Sequence, residues 1–390
     1  MASSASLAPH DHARTAFAPA AAAGRVCARA WRTLDTADAR GAWDRLADHA
    51  AEPNPFYESW YLLPSLRALD PAGDCAVLCY EAGGELIGLL PLVREARYYR
   101  WPLPNLTGWV HANAFLGAPL VAKGHECAFW RALLSWADDN AGAALFFHLM
   151  QIPLGGPLDG ALRSVCADQR RGLALVHREE RALLASQAAP EAYFDAALSA
   201  KKRKELRRQF ARLSELGKLD FARQTGADDL ARWTDAFLAL ERSGWKGVAG
   251  SALASHHATA TLLREALAGA AARGKLERLT LSLDGAPIAM LATFRTLPGA
   301  FAYKTAFDER YARYSPGVLL QRENLAVLAD QTIEWSDSCA SADHPMIDHI
   351  WRERRAIGRY SVAIGGRLRR ALFAAIARAE TRGQTHPSKD

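Results

Sequence analysis

Tyr314, Ser315, Pro316, Gly317 and Val318 stand in succession within residues 310–320. Ser315 is a suitable N-cap, Pro316 a suitable first helical residue, and Gly317 lets a ligand come close to the backbone. A strand that enters such a loop and leaves as a helix aims unpaired N–H groups at one point, where the helix dipole favours an anion such as pyrophosphate. An ordinary helix start would use the same residues; a position directly after a β-meander favours the anion site. His344 is the second candidate. An imidazole ionises near pH 6.5, at about the right place to take a proton from an amine, and Asp337 just upstream would orient it or hold an ammonium group. His344 and Asp348 also fit a His-x-x-x-Asp spacing, which twelve histidines produce by chance.

Asp343, His344, Asp348 and His349 are too close in sequence to converge on one ion, so no metal site is expected. Between Glu241 and Gly247, Trp245 and Lys246 sit on a glycine-flanked loop, compatible equally with a pocket wall and with a packed turn. Residues 201–212 carry Lys201, Lys202, Arg203, Lys204, Arg207, Arg208 and Arg212. Such a helix suits an anionic membrane surface or a nucleic acid. Its one aromatic residue, Phe210, falls on the apolar stripe that Leu198, Leu206, Leu213 and Leu216 leave to bury, so none is interleaved among the cations for base stacking, which disfavours nucleic acid. The chain has no GxxxxGK[ST] loop, no GxGxxG after a strand, no GxSxG elbow and no HExxH, which removes the main support for NTPase, dinucleotide, serine-hydrolase and zincin chemistry.

These residues need a scaffold, and 390 residues are enough for two or three domains. Half the residues are apolar and 23% are charged, which excludes global disorder. The 48 Lys and Arg against 42 Asp and Glu give +6, a mild excess compatible with a phosphate-bearing ligand. Six cysteines without CxxC pairs fit reduced thiols in a cytoplasmic protein, and no window is apolar enough to span a bilayer. Residues 1–24 read as a disordered leader and 379–390 as a flexible tail.

Between the ends, periodicity alternates between helix and strand. Helices are expected over 35–48, within 54–69 and over 126–141, with a hairpin at 75–93 and strands at 144–152 and 173–177. The plan then repeats, with helices over 200–216, 228–240 and 256–273, a hairpin over 276–295, a strand over 300–307, a helix over 316–330 and a strand at 332–336. The two hairpins about two hundred residues apart predict two copies of one α/β unit, divided into 25–187 and 188–378.

Residues 85–93, the basic run opening at Lys201, the segment 244–247, Lys304 to Asp308, residues 311–317 and residues 337–340 together resemble the CelD/BcsL-type branch of the GNAT acyltransferases, which pairs two GNAT-like domains as the Fem aminoacyltransferases do. The resemblance spans roughly 26–370 and implies an α/β fold of two tandem domains, each a mixed, mostly antiparallel sheet flanked by helices. It also implies an acyl-CoA co-substrate, no permanently bound cofactor, and direct N-acyl transfer to a primary amine of an amino sugar, a surface polysaccharide precursor or a sphingoid-like lipid. On that pattern Tyr314, Ser315, Gly317 and Val318 would hold the donor, and Glu241, Trp245, Lys246, Lys304 and Asp308 would face the substrates. His344 and Asp337 would then be catalytic. A Fem-like aminoacyl-tRNA-dependent transferase and a non-catalytic scaffold for surface-polymer assembly are the alternatives. The expected setting is the cytoplasm, with peripheral contact to an anionic membrane through 201–212; oligomeric state is left open.

Overall fold

A computed structural model describes residues 24–382 except 343 and 345. The expected leader therefore lies outside the described residues up to position 23. The first half contains β1 (Arg25–Ala30), α1 (Ala37–Asp48), α2 (Ser59–Leu69), β2 (Ala76–Ala82), β3 (Glu85–Glu95), β4 (Asn105–Gly108), β5 (Leu120–Val121), α3 (Glu126–Asp139), β6 (Phe146–Pro153), α4 (Pro157–Asp168) and β7 (Leu173–Leu184). Next come α5 (Pro190–Ala197), α6 (Ala200–Ser214), β8 (Leu219–Thr225), α7 (Leu230–Ser243), α8 (Trp245–Val248) and α9 (His257–Ala272). The chain continues through β9 (Leu276–Leu283), β10 (Ala286–Thr296), β11 (Gly299–Phe307), α10 (Pro316–Asn324), β12 (Trp335–Asp337), β13 (Glu353–Ala363) and α11 (Arg367–Thr381). The last helix runs to Thr381, so residues 379–381, expected in a loose tail, are helical; 383–390 lie outside the described residues.

The architecture is mixed α/β, one large and mostly antiparallel sheet flanked by helices, in the order β1-β2-β3-β4-β6-β13-β7-β12-β11-β10-β9-β8. The expected duplication is visible in its hydrogen bonding. In each half an antiparallel hairpin (β2–β3, β9–β10) feeds a third antiparallel strand (β4, β11), and that strand then pairs in parallel with the strand after a crossover helix. Parallel pairing needs such a crossover, here α3 in one half and α10 in the other. The halves also exchange an element. β13, from the second half, lies between β6 and β7 of the first, so the chain does not divide in space where its sequence repeats.

Packing follows from apolar alternation on the strands and apolar stripes on the helices. The first half buries the inward faces of β2, β3, α1 and α3 in one cluster, and the second packs α6, α10 and β9–β11 into another. A third cluster joins them. In it Phe56 makes edge contacts with Tyr61, Phe115, Phe294 and Phe301, and lies at 6.0 Å from Tyr303. A Cβ on Gly269 of α9 would stand 2.7 Å from Trp60 Cβ of α2, so only glycine allows these helices to approach so closely. Lys275 completes this joint, donating to Glu58 at 2.6 Å and to Asp48 at 3.0 Å. None of the described helices is long and apolar enough to cross a membrane.

Candidate active site

β11 has nine residues, but β12 pairs with it only at Gly299, Ala300 and Phe301. The remaining edge, Ala302 to Phe307, is splayed from its neighbour and lines a cavity of about 740 Å³. The register against β10 slips at this point: Ala292 faces Lys304 and Thr293 faces Ala302, leaving Tyr303 as the extra residue of a bulge. A bulge re-aims side chains and leaves one residue out of the ladder, which suits the rim of a site.

The sequence-derived residues converge on this cavity in part. Glu241, Trp245, Lys246, Lys304, Ser315, Gly317, Val318 and His344 all line it, as does Phe115 from the first half. Glu241 is buried, accepting from Lys246 Nζ at 3.0 Å and from the Leu253 N–H at 2.8 Å. The segment expected as a glycine-flanked loop is the short helix α8, whose Trp245 N–H donates to Glu309 Oε1 at 2.7 Å while its indole stays 60% exposed. Lys304 Nζ donates to Asn113 Oδ1 at 2.9 Å and lies 5.2 Å from the centre of the Phe115 ring. Burial, with Lys246 beside it, pushes the Lys304 ammonium down to about 8.

At the head of α10 the expected N-cap acts differently. Ser315 has φ +55° and its side chain makes no capping bond; its carbonyl instead accepts from Val318 and Leu319 at 2.9 and 3.0 Å. Pro316 has no N–H, and that of Gly317 makes no hydrogen bond among the described residues. One first-turn donor is thus left for an anion, in the positive end of the helix dipole. A Cβ on Gly317 would overlap the sulfur of Met346, which seats against this glycine.

Three expected residues fall outside the cavity lining. Asp337 is fully buried: Oδ2 accepts from Arg181 at 2.7 Å and Arg355 at 2.8 Å, and Oδ1 from the Cys339 N–H at 2.9 Å. Burial opposes its charge, but the two guanidinium groups more than offset that and hold it below the usual carboxylate range. It therefore neither orients His344 nor faces an ammonium; it anchors Arg181, which also donates to the Phe115 carbonyl at 2.8 Å. Asp308 caps the turn that follows β11, accepting from the Arg310 N–H at 3.0 Å and clamping the Arg310 guanidinium. Tyr314 packs into the second-half core.

His344 is half-buried, its Nδ1 accepting from the Met346 N–H at 3.4 Å. Burial first, then the charge of Lys246, lowers its pKa, so the ring is neutral at neutral pH. Sequence reasoning missed Asn113 and Phe115, which nothing local marks, as well as Met346 and Cys339. Cys339 lies within the motif 337–340 and lines the cavity at φ +51°; burial pushes its thiol well up, against a nucleophilic role. No cluster able to hold a metal ion occurs among the described residues.

Residues 200–344 match the family described as an acetyltransferase (GNAT) domain, and the match covers α6 through His344. No curated protein matches the chain. Among solved structures, FemX aligns with a TM-score of 0.53 at 8% identity, over 87% of this chain and 98% of its own. A domain provisionally described as the C-terminal domain of a lysylphosphatidylglycerol synthetase from Agrobacterium fabrum aligns at 0.51 and 16% identity, over 88% and 96%. A protein of unknown function from Bacteroides thetaiotaomicron aligns at 0.51 and 10% identity, over 83% and 97%. Likeness at such identities is likeness of fold. The chain thus shares a mixed α/β fold with FemX and the synthetase domain, and residues 200–344 within it match a GNAT acetyltransferase domain.

Proposed function

We propose that the protein is an acyl-CoA-dependent N-acyltransferase of the CelD/BcsL type, working from its second half, with the first half walling the acceptor side. The observation that carries this reading is the splayed edge of β11, which opens into one cavity shared by the head of α10 and by Lys304, Glu241, Lys246 and His344. Pantetheine would lie along Ala302 to Phe307, and the pyrophosphate would meet Gly317 and Val318 after Met346 moves aside. The neutral amine nitrogen attacks the thioester carbonyl carbon, forming the C–N bond. The backbone N–H of the bulged Tyr303 would serve the oxyanion, and the C–S bond then breaks to release the CoA thiolate. His344, neutral at this pH, takes the proton from nitrogen directly or through water, and one proton returns to the thiolate. The acceptor is a primary amine of an amino sugar, a surface polysaccharide precursor or a sphingoid-like lipid. The setting is the cytoplasm.

The test is titration calorimetry with acetyl-CoA and a long-chain acyl-CoA, followed by thiol-release assays with amine acceptors. Absence of binding by either donor would remove the proposal. A Fem-like, aminoacyl-tRNA-dependent transfer is the second reading, favoured by the sparse anion loop with Met346 seated on its one glycine. Consumption of aminoacyl-tRNA in place of acyl-CoA would establish it.

A further inference from the structure

A second concave surface lies far from the cavity just described. Between β3 and β4 the chain makes a tight bridge, with Tyr98 and Trp101 exchanging backbone hydrogen bonds at 2.9 and 3.0 Å, and Tyr99 at the tip adopts φ +50°. The bridge holds Tyr99 and Trp101 outward, 60% and 56% exposed. Helix α11 packs beside it, with Phe373 buried against Phe146 and Glu380 accepting from Tyr98 OH at 2.6 Å. Ile376 and Ala379 of α11 join this bridge to line an apolar cavity of about 590 Å³. The same stripe of the helix continues to Leu372 and Leu368, at four-residue spacing, which stand 47% and 89% exposed.

The surroundings are cationic. Arg100 lies over the Trp101 ring, Arg359 donates to Tyr99 OH at 2.9 Å, and α11 carries Arg367, Arg369, Arg370 and Arg378. Its one acid, Glu380, is turned to Tyr98, and of its arginines only Arg370 has a carboxylate partner among the described residues, Asp138. Aromatic side chains held outward, exposed leucines along a helix and arginines around them that mostly lack a carboxylate partner among the described residues form the pattern that seats at a bilayer interface. We propose that this face docks on an anionic phospholipid surface, with Tyr99, Trp101, Leu368 and Leu372 entering the acyl boundary and the arginines meeting lipid phosphates.

The alternatives fit less well. A nucleic acid would use the arginines and the aromatic rings but gives Leu368 and Leu372 nothing to bury against. A second copy would bring like charges together. Residues 383–390 contain no large apolar side chain to fill the groove. The basic helix α6 turns Leu206 and Leu213 inward and leaves only Phe210 and, just past its end, Leu216 exposed, at 36% and 47%, with no outward aromatic pair or apolar cavity beside them. The inference is independent of the proposed acyl transfer. β13 separates the two regions, running eleven residues, about 35 Å, from beside Leu183 to beside Phe146.

The experiment is co-sedimentation of the full chain with phosphatidylcholine vesicles, with and without roughly one-third phosphatidylglycerol. Binding is expected on the anionic vesicles, weakened by salt. Arg367→Gln and Arg378→Gln should each lower affinity about fivefold. The exposed pair Leu368→Ser with Leu372→Ser should lower it further while leaving circular dichroism and acyl-CoA affinity unchanged, and Trp101→Ser provides an independent variant. Gln substitutions at Lys201, Arg207 and Arg208 should have little effect on it. Failure to bind anionic vesicles, or unchanged binding by the leucine and tryptophan variants, would overturn the proposal. So would a dimer that the leucine variants dissolve, or a tRNA shift that they abolish.

Discussion

The two halves build the same turn of sheet and use it differently. β4 has four residues and pairs with β6 at Leu106 and Thr107, after which the chain leaves the sheet at once. β11 has nine, pairs in parallel over its first three and leaves the rest as an open edge. The chain after β4 crosses to the other half, where Asn113 and Phe115 meet Lys304. Strand length at one equivalent position thus decides which copy has a cavity and which supplies a wall. Duplication of a fold leaves each copy free to keep or abandon the opening that chemistry needs.

The comparison breaks if the open edge is idle, and His344 tests that most severely. A positioned base contributes about 100- to 10,000-fold, so His344→Ala should lower turnover within that range while donor binding persists. Because burial lowers the His344 pKa, the wild-type rate should rise through an ionisation below the ordinary histidine value of 6.5, and that limb should vanish in His344→Gln. Near-wild-type turnover in both variants would leave the ring a loop residue.

The next largest effect should fall on the joint between the halves. Asp337→Asn leaves Arg181 and Arg355 facing a neutral group in a dry site, and a broken buried pair costs about 3–5 kcal/mol, readable by urea denaturation. The folded Asp337 pKa is depressed, so its contribution is complete above the ordinary value of 3.8 and is lost as pH falls below it. Acid titration of the mutant should lack that step.

Lys304 sharpens the comparison where the wall meets the open edge. Its ammonium is retained below about pH 8 and lost above, so affinity for an anionic group in the cavity should fall as pH rises through that value. Lys304→Met should remove this dependence and weaken such binding about 10- to 100-fold by calorimetry. Gly317→Val should cost about tenfold in donor affinity, because its side chain keeps the anion away from the backbone N–H, and should also displace Met346. The smallest effect is expected on α6, where Lys201→Gln with Arg207→Gln should shift stability by less than about 0.5 kcal/mol.

Much of this was legible in local pattern. The hairpins, the strand after the second of them and the start of α10 were readable because turn glycines and alternating apolar residues mark them directly, whereas the four-residue β4 after the first hairpin was not. β13 was not, since arginines at 354, 355 and 359 interrupt its alternation; Arg355 is drawn inward by Asp337, a partner that no window reveals. Asp337 was misjudged for the same reason. The nearness of Asn113 to Lys304 depends on a crossing of 191 residues, and the seat of Met346 on Gly317 depends on how the chain returns after β12. Position along the chain identified the loop, whereas side-chain partnership across it required the fold.

The insertion of β13 between β6 and β7 also bears on how a ribosome must deliver this protein. Both neighbours emerge long before the strand that joins them, and at 5–20 residues per second the gap is on the order of ten seconds or more. Until then one edge of β6 waits unpaired, and β7, whose strand partners are β13 and the equally late β12, has neither, leaving both open to the wrong strand or to a chaperone. Nascent chains arrested before Glu353 should therefore be cleaved readily by protease within the first half, and those arrested well beyond Ala363 should resist. Among the described residues, the strand synthesised last closes the unit that began first.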